Sequence, residues 1–175
     1  MTDTITRLRT SNTAKCVLAL AAAAVLLAVF AQAAPGSGFF FPLVSLWCNL
    51  ALFACVLLVL RVAGVKFDLF HKAVIFGLWA AALLYFFWAL DRRSFVYTWD
   101  YFNYINKQYS AEAAFLQSPA AGFHFIFGSF AEDYTNFITL FLDFPFCLSD
   151  RTGDSFAFCQ VFSILPMLLV LLAGL

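Results

Sequence analysis

The sequence has little charge for its length. Charged residues make up 11% of its 175 residues, whereas a soluble domain carries about 25%. Hydrophobic residues account for 64%, well above the roughly 45–50% that is typical of a soluble domain. Because the sequence also has no run of basic residues, its composition argues against nucleic acid as a partner. The composition predicts an integral membrane protein.

The sequence also lacks the short motifs that mark common catalytic sites. It has no Walker, GxSxG, HExxH or GxGxxG pattern, which removes the usual phosphate-loop, hydrolase, zinc-protease and dinucleotide signatures. Its five cysteines form no CxxC pair, and their apolar surroundings predict small packing residues rather than metal ligands. A disulfide between Cys147 and Cys159 stays open, although nothing in the spacing requires it.

Four apolar runs predict four transmembrane helices. They cover residues 16–34, 39–60, 73–90 and 156–175, and about 20 apolar residues are needed to cross a bilayer. The first run ends in Ala31-Gln32-Ala33 and is either a cleaved signal peptide or an uncleaved helix, of which we favour the second. The predicted fold is all-α. A segment 1–15 precedes three membrane helices in 16–90, a loop in 91–155 and a fourth membrane helix in 156–175.

The charges that are present are unevenly distributed. Six of the ten lysines and arginines lie in the N-terminal segment and in the link between the second and third apolar runs. Eight of the ten acidic residues lie between Asp91 and Asp154. Short basic segments stay in the cytoplasm, which places the N-terminus inside and the acidic loop outside. We expect the membrane to be the inner (plasma) membrane of a bacterium.

Residues 123–149 are rich in phenylalanine, yet Glu132, Asp133 and Asp143 interrupt them. Each carboxylate would cost about 2.5–3.5 kcal/mol at the centre of a membrane helix. The two halves, 121–131 and 134–148, instead predict amphipathic helices that lie at the outer membrane surface. Their apolar faces would be Phe123, Ile126, Phe127 and Phe130 in the first helix and Phe137, Leu140, Phe141 and Phe144 in the second. Asp143 fits neither face, and the pattern predicts no role for it.

The strongest candidate site follows the third apolar run, where an acidic residue lies among aromatic ones. If residues 99–109 are helical, Asp100, Asn103, Tyr104 and Lys107 share one face near the membrane surface. The carboxylate there could accept a proton from a hydroxyl group or hold a divalent cation beside a phosphate. The rings of Trp99 and Tyr104 could stack on a sugar. The alternative is structural, with the aromatic residues as an interfacial belt and Asp100 paired with Lys107 or facing water.

Glu132 and Asp133 form a second acidic feature. Adjacent helical residues point about 100° apart, so one of the two could meet Asp100 across the loop. The alternative is that both belong to the solvated polar face of an interfacial helix.

Three features in residues 67–175 resemble the N-terminal region of the GT-C-type membrane glycosyltransferases. They are Trp99-Asp100-Tyr101-Phe102-Asn103-Tyr104 after a membrane helix, the amphipathic stretch 123–146, and the helix that returns after Thr152-Gly153-Asp154-Ser155. These enzymes take a sugar from a polyprenyl-phosphate carrier at a large outer loop. Since the last apolar run continues to Leu175, we expect the N-terminal part of a longer polytopic protein, or an open reading frame cut short.

The resemblance implies a role for each candidate residue. Asp100 would be the general base for an acceptor hydroxyl or the ligand of a divalent cation, and Glu132 or Asp133 would assist it. The carrier phosphate would be contacted by Lys107 or by the arginines Arg92 and Arg93. The lipid tail of the donor would lie along the phenylalanine-rich helices.

Two other functions compete with the transferase. The first is a non-enzymatic small multi-pass subunit or scaffold that binds a partner through the outer loop. The second is the membrane part of a transporter, which the pattern favours least because no carboxylate lies centrally in a predicted span.

Overall fold

The computed structural model describes residues 2–92, 99–132, 135–149 and 153–174, and these residues are all-helical, without a strand. The all-α class predicted from the sequence is confirmed. The long helices are α1 (Thr2–Ala33), α2 (Phe40–Val62), α3 (Leu69–Arg92), α4 (Trp99–Gln117) and α7 (Gly153–Gly174). The shorter ones are α5 (Pro119–Gly128), α6 (Thr139–Cys147) and two single 3-10 turns, Ser129–Ala131 and Asn136–Ile138.

Within the described residues, three helical segments are long and apolar enough to cross a membrane. They are Thr13–Ala33, Phe40–Val62 and Leu69–Phe86, of 21, 23 and 18 residues, close to the roughly 20 that a span needs. The segments agree with the first three apolar runs of the sequence. They make the chain compatible with a multi-pass membrane protein.

The helices α1 and α2 form an antiparallel hairpin that is joined along its whole length. At the turn, Gly36 adopts a φ of +77°, a left-handed conformation that glycine takes without the steric cost of a side chain. Further along, the indole Nε1 of Trp47 donates to the carbonyl of Leu20 at 3.0 Å. At the far end, the Arg61 guanidinium donates to the hydroxyl of Thr13 at 3.3 Å. These contacts fix the register of α1 on α2.

The core lies where the N-terminal half of α2 meets α4, α5 and α6. Its most buried phenylalanine, Phe115 of α4, is 1% exposed and stacks on Phe41 at a ring separation of 4.3 Å. Burying a phenylalanine side chain contributes about 1.5–3 kcal/mol. The buried residues of this cluster are Phe40, Phe41, Val44, Ala111, Phe115, Ile126 and Leu140.

The helix α5 starts where the sequence has a strong start signal. The hydroxyl of Ser118 accepts from the backbone N–H of Ala121 at 3.1 Å, and Pro119 occupies the first helical position, where its missing N–H costs nothing. The predicted apolar face of this helix is split in the structure. Ile126 is fully buried, whereas Phe127 and Phe130 are 49% and 58% exposed and remain available to lipid.

The helix α6 differs from its predicted single-faced packing. It is shorter than residues 134–148, and it lies between α2 and α7 with both Leu140 and Phe146 buried. Pro145 explains part of this arrangement, because proline has no N–H to give the carbonyl of Phe141. That carbonyl instead accepts from the amide of Asn49 at 2.8 Å and from the hydroxyl of Ser163 at 2.9 Å. Polar groups of α2 and α7 therefore complete the backbone of α6.

An uninterrupted series of ring contacts links α4 to α6. Successive ring centroids are 5.2–6.1 Å apart, within the range of favourable aromatic pairs. The series consists of Phe115, Phe123, Phe127, Phe130, Phe137 and Phe141. It holds α5 and the two 3-10 turns against the long helices.

Candidate functional site

The helix α4 carries most of the predicted site. It runs from Trp99 to Gln117 without a break, so Asp100, Asn103 and Lys107 occupy related positions along one helix, as the spacing predicts. One face of α4 packs into the protein through Ile105, Gln108, Ala111 and Phe115, all of which are buried. Asn103 and Lys107 are partly exposed beside that face.

Several candidate residues lie wholly or partly outside the described part of the chain. The side chains of Arg92, Trp99 and Asp100 are not described, although Arg92 ends α3 and the other two begin α4. Arg93 and Asp133 lie outside the described residues altogether. The roles predicted for these five residues therefore stay predictions.

Two of the predicted site residues are brought together. The Lys107 ammonium lies 3.4 Å from the Glu132 carboxylate, with side chains 21% and 60% exposed. Glu132 directly follows the 3-10 turn Ser129–Ala131, which returns from α5 to the side of α4. Lys107 lies two helical turns, about 10 Å, beyond Asp100 along α4. At this exposure the ion pair contributes about 0–1 kcal/mol to stability.

The other aromatic candidate has a structural contact. Tyr104 packs against the buried cluster of Ile105, Leu142, Phe146 and Cys159. The predicted sugar-stacking role of Tyr104 stays a prediction.

A buried polar pair joins α4 to α6, and sequence reasoning missed it. Gln108 and Asp143 are both 0% exposed, and the Gln108 amide Nε2 donates to Asp143 Oδ1 at 2.6 Å. A hydrogen bond of this kind contributes about 0.5–1.5 kcal/mol when the carboxyl group is neutral and about 1.5–3 kcal/mol when it is charged. Asp143, which matched neither predicted amphipathic face, thus forms part of the contact between α4 and α6.

A small cavity of about 90 Å³ lies next to this pair. Glu112 and Asp143 contribute to its wall, and the N-terminal end of α2 contributes Phe41 and Pro42. The cavity is large enough to hold water. Glu112 follows Gln108 by four residues on α4, and this spacing places both side chains on one face of the helix. The sequence could therefore have indicated a polar face on α4 that contains Gln108 and Glu112. The partner on α6 could not be inferred from that spacing.

No group of three or more His, Cys, Asp or Glu side chains that could hold a metal ion occurs in the part of the chain that the structure describes. The divalent cation that Asp100 could bind therefore stays an expectation. The carboxylates of Glu112 and Asp143 are the two that share a described cavity.

The fold and the site define an all-helical protein with three apolar helices of membrane-spanning length and polar groups gathered on α4. No known protein family, curated protein or solved structure matches the chain.

Proposed function

We propose that the chain is the N-terminal part of a polytopic membrane glycosyltransferase that moves a sugar from a lipid-phosphate carrier to an acceptor on the outer face. The observation that carries this proposal is the position of α4. It is a helix with one buried side and an exposed side that mixes polar and large apolar residues, it follows the apolar helix α3, and the aromatic series packs against it.

The proposed topology has four membrane helices. In it, α7 crosses the membrane after α1, α2 and α3, since its 22 residues make a helix about 33 Å long. The segment from α4 to α6 then lies on the outer side. The apolar surfaces of Phe127 and Phe130, which are exposed, would face the acyl region there.

In the proposed mechanism, Asp100 acts as the general base that takes the proton of the acceptor hydroxyl. When the donor binds, the Lys107 ammonium leaves the Glu132 carboxylate and contacts the carrier phosphate. The 3.4 Å separation of these two groups supports this exchange, because a partly exposed ion pair is weak enough to open. Trp99 and Asn103 border the sugar, Arg92 or Arg93 supplies a further contact to the carrier phosphate, and Asp133 assists Asp100.

The test is sugar transfer by membranes that contain the full-length protein, supplied with a polyprenyl-phosphate-linked sugar. Asp100→Asn should lower transfer about 100-fold or more, since a positioned general base contributes roughly 10²–10⁴-fold. Asp91→Asn is the matched control, because it makes the same change nine residues earlier, at the end of α3. It should stay within about twofold of wild type. Wild-type transfer by Asp100→Asn at equal protein level would refute the proposed mechanism.

A second candidate is the non-enzymatic membrane subunit. The surfaces of α1 and α3 favour it, because the most apolar parts of their membrane-length segments contain no buried residue. Such surfaces face lipid or the helices of a partner. Absence of any sugar transfer by the wild-type protein, together with a stable complex with another membrane protein, would favour this candidate over the transferase.

A further inference from the structure

An apolar groove of about 400 Å³ runs between α2, α3 and α7, at the end of these helices opposite to the acidic cavity. Leu57 of α2, Trp79 of α3 and Val170 of α7 form its three sides. Its volume is within the range of about 300–1,000 Å³ that is usual for small-molecule sites. The ring of Trp79, which lines the groove, lies 5.6 Å from the ring of Phe162 of α7.

One charged residue lies at the rim of this groove. Among the described residues that line it, Lys72 alone is charged, and none of the ion pairs between described residues involves Lys72. Lys72 lies on the first turn of α3, two turns or about 10 Å from Trp79. The groove is thus apolar along its length, with an ammonium group at its mouth.

The surroundings of Lys72 are positive on balance. The link before α3 and its two ends carry Arg61, Lys66 and Lys72 against the single carboxylate of Asp68. That carboxylate is engaged locally, because it accepts from the backbone N–H of His71 at 2.9 Å and lies 2.6 Å from the His71 ring. These hydrogen bonds, the backbone one first, lower the pKa of Asp68. A phosphate at the mouth of the groove would therefore meet a net positive charge.

The neighbouring surface matches a bilayer rather than a protein partner. Leu69 and Phe70, which precede Lys72 on the first turn of α3, are 82% and 72% exposed, as expected where a helix enters the acyl region. A helix docked in the groove would have to cover the Lys72 ammonium, which is costly without an acidic residue of its own. A phospholipid places its phosphate at the surface and its chain below, in the same order as Lys72 and the groove.

We propose that the α2–α3–α7 groove binds one acyl chain of an anionic phospholipid of the membrane, with the lipid phosphate held by Lys72. This inference does not depend on the glycosyltransferase function. Basic pockets between membrane helices on the cytoplasmic side bind anionic head groups by the same chemistry. The occupant is lipid rather than free phosphate because the apolar wall extends well beyond the reach of a phosphate group.

The test is native mass spectrometry of the purified protein, released from detergent that contains equal amounts of phosphatidylglycerol and phosphatidylcholine. The wild type should retain phosphatidylglycerol in preference. Lys72→Gln should reduce retained phosphatidylglycerol about fivefold, the contribution expected of one lysine near an anionic surface, and leave phosphatidylcholine unchanged. Lys66→Gln removes the same charge from the same link but outside the groove lining, and it should stay within about twofold of wild type.

A second variant tests the groove without changing charge. Ile75→Trp would fill the groove beside Lys72 and should reduce retention of both lipids. Equal losses from Lys72→Gln and Lys66→Gln would overturn the proposal, because they would indicate general attraction to the basic link. Unchanged phosphatidylglycerol retention by Ile75→Trp would overturn it as well. If the wild type proves to be a dimer, an Ile75→Trp variant that is monomeric and keeps its lipid would also overturn the proposal, since a second copy would then occupy the groove.

Discussion

At the scale of single residues, Asp143 is a fully buried carboxyl group. It lies in the apolar sequence Leu142-Asp143-Phe144, where an acidic residue is costly unless a partner satisfies it. Gln108 supplies a hydrogen bond at 2.6 Å from the neighbouring helix. The pair therefore acts as a specific polar contact inside an otherwise apolar junction, and it orients α6 relative to α4.

Removal of this donor should destabilise the protein. We expect Gln108→Leu, which keeps the side-chain volume and loses the amide, to lower the free energy of unfolding by about 1–3 kcal/mol. Denaturant unfolding of the purified protein in detergent measures the change. Gln117→Leu is the control on the same helix, because Gln117 is exposed at its C-terminal end. Equal stability of the two variants would show that the buried bond contributes nothing.

At the scale of elements, the junction of α4 and α5 depends on one small residue. A Cβ atom added at Gly122 would lie 2.3 Å from the Phe115 ring, which real contacts do not allow. Phe115 has little room to move, since it is buried and stacked on Phe41. Close approach of the two helices therefore requires glycine at this position.

Substitution of the two glycines of α5 should have opposite effects. Gly122→Ala should destabilise the protein by about 1–3 kcal/mol through overpacking. Gly128→Ala should be neutral or stabilise by up to about 1 kcal/mol, because a Cβ there meets nothing within 4 Å. Thermal unfolding of both variants in the same detergent gives the comparison. A Gly122→Ala variant as stable as Gly128→Ala would contradict the packing described for this junction.

The elements also show what the sequence could predict. Long apolar runs predict the three segments of membrane-spanning length closely, because membrane helices need length and apolarity and little else. They do not predict that α1 begins as early as Thr2. The start of α5 follows from Ser118 and Pro119, whose capping chemistry is local. The packing of α6 was not predictable in this way. Pro145 predicts that the carbonyl of Phe141 lacks its usual partner within the helix. The side chains that bond to this carbonyl, Asn49 and Ser163, are distant in sequence and could not be predicted.

The candidate site, too, could be predicted only in part from the sequence. The shared helix of Asn103 and Lys107 follows from their spacing, whereas the contact of Lys107 with Glu132 depends on how the chain turns back after α5. The sequence offered Glu132 and Asp133 as equal candidates to meet Asp100. The contact of Glu132 with Lys107 is a tertiary contact that the sequence could not predict.

At the scale of the whole molecule, both proposals share one premise about orientation. The transferase site requires the segment from α4 to α6 to lie outside, and the lipid groove requires the basic link between α2 and α3 to lie inside. Three apolar helices separate the N-terminus from α4, so a cytoplasmic N-terminus places α4 on the outer side. An inverted orientation would remove the basis of both proposals.

The most direct test of this orientation is labelling of single cysteines in intact cells with a membrane-impermeant thiol reagent. The background is a variant in which the five native cysteines are replaced by alanine. Gln117→Cys places a thiol at the exposed end of α4, and Ala63→Cys places one in the exposed link after α2. The account predicts that Gln117→Cys is labelled in intact cells and Ala63→Cys only after lysis. Labelling of Ala63→Cys in intact cells, with Gln117→Cys labelled only after lysis, would contradict it.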